Sequence, residues 1–565
     1  MSLFGSMQIG KNALSAAQLG LQVAGNNIAN ASTPDYLRQD LELHSAGPRR
    51  VGGLLLGTGV QVHAVVQQVD KFLEERLRGA ISDLAKGEAQ EKAYVRLETL
   101  LGELSDNDLS TSLTQFFGSL HNVVNQPEDT SIRNLAVLAG SNLAADIRQL
   151  DHQVREARSD LNEQIVVTAR EVNRLTEEIA RLNLRIVQAE GGGAIPSDAV
   201  GLRDQRQRAL SQLAQLIDVR AVEQESGAVN VFSGGEFLVF DGQARRIVTE
   251  VRADRELQVY ELRIELTDAP LHVSGGELGG ILVARDQVLG GFLDGLNDFA
   301  QTLLFEFNRV YTSGQGLSGF TTITSEFSIK DPHSPLDQAG LPFAPDNGIF
   351  QVLVRDRNTG LVRTTDVAVE LNGLPDDTTP AQLVARLNAI EGIAAEITRN
   401  GHITLRAESP HLEFAFADDT SGVLAAWGLN TFFTGASARD IGVSQILRGD
   451  PGKLAVSQGG IGQDANNAEK LAVLLNAELP SLDGGSLARK YELLVATVAQ
   501  QGATARAVTE GYRTFKLTLE GQKMATSGVS LDEEAVRMIA YQRSFQASAR
   551  FISTVNELLD TLINL

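Results

Sequence analysis

The stretch LAADIRQLDHQVREARSDLNEQIVVTAREVNRLTEEIARLNLRIVQA, residues 143–189, decides the fold class. Its seam falls at Leu143, Ile147, Leu150, Val154, Ala157, Leu161, Ile165, Thr168, Val172, Leu175, Ile179, Leu182, Ile186 and Ala189. The steps alternate four and three, with one extra step of four between Leu161 and Ile165. That is a heptad seam carrying a stutter. At 1.5 Å per residue it predicts a rod roughly 70 Å long. Gly191-Gly192-Gly193 and Pro196 end it, because glycine reaches the left-handed cap conformation and proline cannot continue a helix.

Outward from the rod, the spacing predicts helices over Asp70–Glu103, Ile281–Tyr311, Ala468–Ala477 and Leu487–Met524. With the rod they read as an elongated helical bundle. Both chain ends are helical as well. Met7, Leu14, Leu21 and Ile28 recur every seventh residue, and Gly10, Ala17, Ala24 and Ala31 follow each by three. Large residues on one seam position and small ones on the other allow close helix approach. At the other end, Met538, Gln542, Phe545, Ala549, Ile552, Asn556, Leu559 and Ile563 alternate four and three, broadened by Val555, Leu558, Leu562 and Leu565. These apolar stripes need partners, and they are expected to lack them until subunits stack. Leu559 is accordingly expected to be exposed in the free chain.

β signals fill the interior. Val219–Val222, Val229–Phe232 and Phe237–Phe240 alternate around Ser226-Gly227 and Gly234-Gly235, and Leu257–Leu266 continues the pattern. A second β region runs from Phe320 to Leu447, with one helix at Pro380–Ala389 and strands at Ala394–Thr398, Ile403–Ala407 and Leu412–Phe416. Gly-rich linkers flank it, so it is expected to fold alone. The reading is an α+β multidomain chain with coiled-coil-like terminal helices, an elongated helical bundle and mainly β outer domains. Its divisions are 1–45 with 528–565 (terminal helices), 46–216 with 281–315 and 463–527 (bundle), 217–280 (β-rich insert) and 316–462 (β-rich outer domain).

Composition narrows the function classes. The chain has 565 residues, a formal charge of −22 and no cysteine. That charge argues against nucleic acid and anionic lipid, which need a basic surface. Thiolate metal sites, disulfides and cysteine nucleophiles are excluded. No run approaches a membrane span, and residues 1–22 show no cleavable signal.

Chemistry-bearing motifs are absent. The eight histidines (His44, His63, His121, His152, His272, His333, His402 and His411) form no zinc spacing. His402 and His411 border strands near Asp418 and Asp419, in what reads as a turn, Asp418–Gly422. Gly314-Gln315-Gly316-Leu317-Ser318-Gly319 matches Gly-x-Gly-x-x-Gly, but a helix precedes it and a strand follows. A dinucleotide loop needs the reverse order, so this is a linker. The chain is read as no enzyme, with no catalytic, cofactor-binding or metal residues and no cofactor.

The segment Asn26-Asn27-Ile28-Ala29-Asn30-Ala31-Ser32-Thr33-Pro34-Asp35-Tyr36-Leu37-Arg38-Gln39 closes the first helix with asparagines and then turns. It resembles the N-terminal signature of the bacterial flagellar rod, hook and hook-associated protein family, which usually has glycine where Asp35 stands. Ser527–Glu534, Tyr541–Gln546 and Ile552–Leu565 resemble that family's other end, with Ser530 and Glu533 reading as a capping box. The rod at 143–189, Leu202–Arg206 with Ile217–Arg220, and Asp418–Gly435 resemble its hook–filament junction members.

The resemblance implies a structural subunit at the hook–filament junction, secreted by the flagellar type III route and placed outside the cell. Its partners would be copies of itself in a ring, hook protein, the second junction protein and a cytosolic export chaperone at the C-terminal helix, with no nucleic acid and no membrane insertion. The assembly interface is assigned to Met7, Leu14, Leu21, Asn26, Asn27, Ile28, Asn30, Pro34, Tyr36, Met538, Phe545, Ala549, Ile552, Asn556, Leu559, Leu562 and Ile563. The alternatives are another axial subunit such as hook protein, or an axial subunit with an enzymatic outer domain.

Overall fold

The computed structural model describes residues 3–33, 36–51, 54–102, 108–191 and 199–563. Pro34 and Asp35 of the turn, Gly192, Gly193 and Pro196 after the rod, and Leu565 lie outside the described residues. The helices in chain order are α1 (Leu3–Asn30), α2 (Lys71–Leu101), α3 (Leu109–Asn125), α4 (Thr130–Ala189), α5 (Val200–Leu216), α6 (Gly276–Val283), α7 (Gly290–Tyr311), α8 (Pro380–Asn388), α9 (Val423–Trp427), α10 (Gln445–Gly449), α11 (Asn466–Val473), α12 (Leu487–Ser527) and α13 (Leu531–Ile563). Strands form small antiparallel sheets between them, so the fold is α+β. The chain packs as two compact units, Met1–Ala93 with Ser159–Asp286 and Ala503–Leu565, and Tyr94–Arg158 with Gln287–Gly502.

In the first unit the rod's stripe is buried against α5 and the β-rich insert. Ile165, Val172, Leu175 and Ile179 share one core with Leu210, Leu213, Val231, Leu238, Leu262 and Leu278. Polar seam neighbours add a second attachment. Asn162, Asn173 and Asn183 each hold a strand by its backbone, Asn173 and Asn183 through both groups of one residue. Asn173 Nδ2 donates to Ile247 O at 2.8 Å while its Oδ1 accepts from Ile247 N at 2.8 Å. Asn183 does the same with Val229, at 2.7 and 3.1 Å. Asn162 bridges Gln258 O and Tyr260 N at 3.1 and 2.7 Å. A side-chain amide thus stands in for a ladder partner at each of these strand groups. The arm that leaves α1 is a pair of antiparallel strands, β1 (Gln39–Ser45) and β4 (Val60–Gln67), with a short hairpin of β2 (Arg49–Val51) and β3 (Leu54–Leu56) beyond them.

The second unit has two hydrophobic centres. Phe116, Phe117, Phe307, Phe432 and Phe433 interlock at ring distances of 4.8–6.0 Å. The β region 320–429 has its own core around Phe350, Phe414, Phe416 and the fully buried Trp427. One three-stranded sheet there orders Thr322–Thr324, Ile403–Ala407, Ile393–Ile397, and the other Val362–Val369, Gly348–Asp356, Leu412–Ala417. The helix at Pro380 starts with a full Thr379–Gln382 capping box.

The Gly-x-Gly-x-x-Gly segment is a linker between α7 and Thr322–Thr324. Its glycines admit close packing: a Cβ on Gly314 would lie 2.1 Å from Asn467 Nδ2, and one on Gly316 2.6 Å from Gly452 O. Asp418 (φ 47°) and Gly422 (φ 66°) make the expected turn. His402 does not face it; its Nδ1 meets Ser325 O at 3.0 Å, and His411 Nδ1 meets Ser409 Oγ at 2.6 Å. Among the described residues no three His, Asp or Glu side chains gather to hold a metal. No described helix is long and apolar enough to cross a membrane.

Candidate functional site

The two chain ends meet. Gly10 lies against Ile552, Gly20 against Tyr541 and Asn27 against Glu534, so α1 and α13 run antiparallel. This corrects the expectation that each terminal stripe lacks a partner within one chain. The small seam explains the closeness: Gly10, Ala16, Ala17, Gly20, Val23, Ala24 and Asn27 are the buried residues of α1. A Cβ on Gly20 would sit 2.5 Å from the Tyr541 ring, whereas Gly25 has nothing within 4 Å. Alanine in place of a helical glycine gains about 1 kcal/mol in propensity. At Gly20 the clash, typically 1–3 kcal/mol, outweighs that gain. Gly20→Ala is therefore expected to loosen the helix pair, and Gly25→Ala to tighten it. Amide hydrogen exchange in α1 reads both; the same sign at both positions would refute this packing.

At the base of the pair, four elements join. Asn27 is fully buried. Its Nδ2 donates to Gln39 O at 2.8 Å and to Glu534 Oε2 at 3.2 Å, and its Oδ1 accepts from Gln39 N at 3.0 Å and from Tyr36 OH at 2.8 Å. Glu534, 1% exposed, takes Arg38 Nε on Oε1 at 2.9 Å. Arg38 Nη2 lies 2.8 Å from the same oxygen, an ion pair without hydrogen-bond alignment. Arg38 Nη1 reaches the exposed Glu533 at 2.9 Å. The capping box is thus half made: Ser530 Oγ accepts from Glu533 N at 3.4 Å, but the Glu533 carboxylate pairs with Arg38. Arg38 N donates to Ser527 O at 3.1 Å, and Arg537 meets Asp40 at 2.9 Å. Burial alone would lower the Arg38 pKa, but the bonds from Glu534 and Glu533 raise it. Burial, with the charges of Asp204 and Glu534, pushes the Tyr36 phenol up, so it stays a donor.

The assigned residues divide. Asn27 is buried; Met7, Leu14, Leu21, Ile28, Asn30, Tyr36, Phe545, Ala549, Ile552 and Leu559 are half-buried. Asn26, Met538, Asn556, Leu562 and Ile563 are exposed, and Pro34 lies outside the described residues. Leu559 is therefore not the exposed residue it was expected to be: it shares the inward side of α13 with Ile552 and the buried Val555. The sequence reading missed Arg38, Glu534 and Gly20. The first two stand inside the quoted motifs, but their pairing spans 496 positions and has no local signal.

Asp204 lies beside this base, accepting from Gln67 Nε2 at 2.5 Å. Burial pushes its carboxyl up to about 6, against the pull of Arg208 and of bonds from the Leu37 backbone and Gln67. The folded chain then binds this proton more tightly than an unfolded one, whose Asp titrates at ~3.9. The group's contribution is most favourable below about pH 4, declines as pH rises to about 6, and is constant above. Asp204→Asn is expected to raise stability by about 1–2 kcal/mol near neutral pH and not measurably at about pH 4. An equal effect at both would refute the assignment.

Residues 94–325 match the family described as flagellar hook-associated protein FlgK helical domain. Residues 521–565 match flagellar basal body rod FlgEFG protein C-terminal, and residues 7–36 match flagella basal body rod protein. Flagellar hook-associated protein 1 of Salmonella typhimurium is 26% identical, over 98% of this chain and 98% of its own length. Its counterpart from Bacillus subtilis is 25% identical, over 100% of this chain and 98% of its own. A solved structure, flagellar hook junction protein FlgK from Burkholderia pseudomallei, aligns with a TM-score of 0.49 at 16% identity, covering 80% of this chain and 100% of that one.

Proposed function

We propose that this chain belongs to the flagellar rod, hook and hook-associated protein family and is a structural subunit of the flagellum at the hook–filament junction. One observation carries the reading: similarity to flagellar hook-associated protein 1 runs through both termini and the helical region, over 98% of the chain. Hook protein as the alternative is not favoured, because the match at 94–325 is to the hook-associated helical domain. The paired terminal helices supply the means. Their small seam joins α1 to α13, and their large residues stay half-exposed for neighbouring subunits.

The finer proposals extend this. Copies form a ring on hook protein, and the second junction protein stacks above. The chain leaves the cell by the flagellar type III route, and a cytosolic chaperone covers the outward side of α13 before export, where Leu558, Leu562 and Ile563 are 52–77% exposed. Immunogold labelling of intact flagella tests the placement. Label is expected only at the boundary between hook and filament, and a strain lacking the protein should make hooks of normal length while shedding flagellin. Label along the hook, or altered hook length, would move the chain to another axial position.

A further inference from the structure

A cleft of about 180 Å³ opens in the first unit where the base of the arm meets α2, α5 and the β-rich insert. At roughly 30 Å³ per water it has room for several waters or one small anion. Lys71, Arg78, Arg203 and Arg206 line it, together with Glu74, Glu75 and Glu223. Most of these charges answer each other. Glu223 takes Lys71 and Arg203, each at 2.5 Å, and Arg206 at 3.5 Å. Arg203 also closes on Glu190 at 2.7 and 2.8 Å. Glu74 takes Lys523 at 2.9 Å and Gln207 at 2.5 Å. Arg206 Nη1 donates to Asn183 Oδ1 and Gly227 O.

Arg78 is the exception. It is 7% exposed, and its Nε–H has no hydrogen-bond partner. Burial pushes its pKa down, with Glu74 and Glu75 offsetting only part of the effect. Burial and the Arg203 charge likewise push Arg206 down to about 10. Both guanidiniums line one wall; Arg206 is bonded, while the Arg78 Nε–H is enclosed without a partner, so an anion in the cleft would meet the Nη end of Arg78. Leaving such a donor unsatisfied is costly.

We propose that this cleft is an oxyanion site, in which Arg78 receives one phosphate-sized or carboxylate group. A guanidinium fork matches both geometries. The same wall includes Leu37 and Gln67 of the arm, so a bound anion ties the arm's base to the helices and the insert. The chemistry has two sources: a free anion, or a carboxylate side chain of a neighbouring copy, which carries 71 acidic residues. The free-anion source stands apart from the junction reading, whereas the neighbour's carboxylate rests on it.

The test is calorimetric titration of the full-length monomer with inorganic phosphate against chloride of equal ionic strength. One site per chain with a Kd on the order of 1 mM is expected. Arg78→Met should weaken it at least tenfold and Arg78→Lys less, because lysine keeps the charge but not the fork. Met is chosen because its unbranched chain follows the path of the arginine stem without the charge. Should it not fold, Arg78→Lys and Lys71→Met carry the comparison. Absence of saturable binding, or binding indifferent to these variants, is an adventitious ion only and overturns the site. Assembled tubes separate the sources: phosphate still bound means a free anion, and phosphate excluded by assembly means a neighbour's carboxylate, either outcome supporting the site.

Discussion

Glu534→Ala should open the terminal helix pair, at a cost of about 3–5 kcal/mol. The size follows from what is left behind. Glu534 is 1% exposed and Arg38 8%. Removing the carboxylate strands a buried guanidinium with only Glu533, whose side chain is 62% exposed and screened by water. Asn27 loses an acceptor at the same time. Because every 1.4 kcal/mol is tenfold, amide protection in α1 and α13 should fall by at least about a hundredfold, while the core around Trp427 in the second unit should not respond. Arg38→Met added to Glu534→Ala should recover most of the loss, since it is the unpaired charge and not the missing bond that dominates. A loss under about 1 kcal/mol, or a double variant worse than the single, would mean that the small seam alone holds the ends together.

How much of this was legible depends on where each signal resides. The rod was plain, because a heptad stripe is local and long; the structure only extends it back to Thr130. Ile403–Ala407 is found residue for residue, and its neighbours within one or two positions. The small seam of α1 was also plain, since Gly10, Ala17 and Ala24 recur at a fixed interval. The ribbon Ile247–Asp254 was not, because most of it is exposed and no alternation marks it. Helix α3 did carry a signal: Leu109, Leu113, Phe116, Phe117, Leu120 and Val123 keep a helical period behind an Asp108 cap. Attention to heptad seams passes over it, because its partners are aromatic residues far along the chain.

The asparagines mark a deeper limit. Asn27, Asn173 and Asn183 each bond a residue's N–H and C=O at once, as Asn308 does with Phe433 and Asn388 with Ala395. In the sequence, Asn27 reads as a helix ender, and the others carry no signal of their own. Their role exists only once a strand is laid beside the helix, a tertiary fact without local cause. Arg38 and Glu534, the buried members of the cluster that joins the chain ends, were left out of the assigned residues for the same reason.

That distinction selects the residue for the strongest functional test. Leu559, an obvious choice from the stripe, is half-buried beside Val555, so Leu559→Asp would disturb the helix pair before any assembly began. Leu562 is one turn on and 64% exposed. Leu562→Asp is expected to change monomer stability by no more than about 0.5 kcal/mol, the usual range for a surface change. In an assembled ring the same position would bury against a neighbouring helix. Losing the leucine then costs about 1.5–3 kcal/mol, and an unpaired buried carboxylate adds several more. In such a ring the defect would recur in each subunit, and the loss would multiply. The expected result is a folded, soluble, exported protein that fails to complete the junction, with flagellin accumulating in the medium. Glu557→Gln, also exposed, should assemble normally. Measured side by side, unchanged hydrogen exchange with lost motility places the outward side of α13 in the subunit interface. Normal motility for Leu562→Asp would show that this side faces solvent in the flagellum, and that contacts between subunits use other residues.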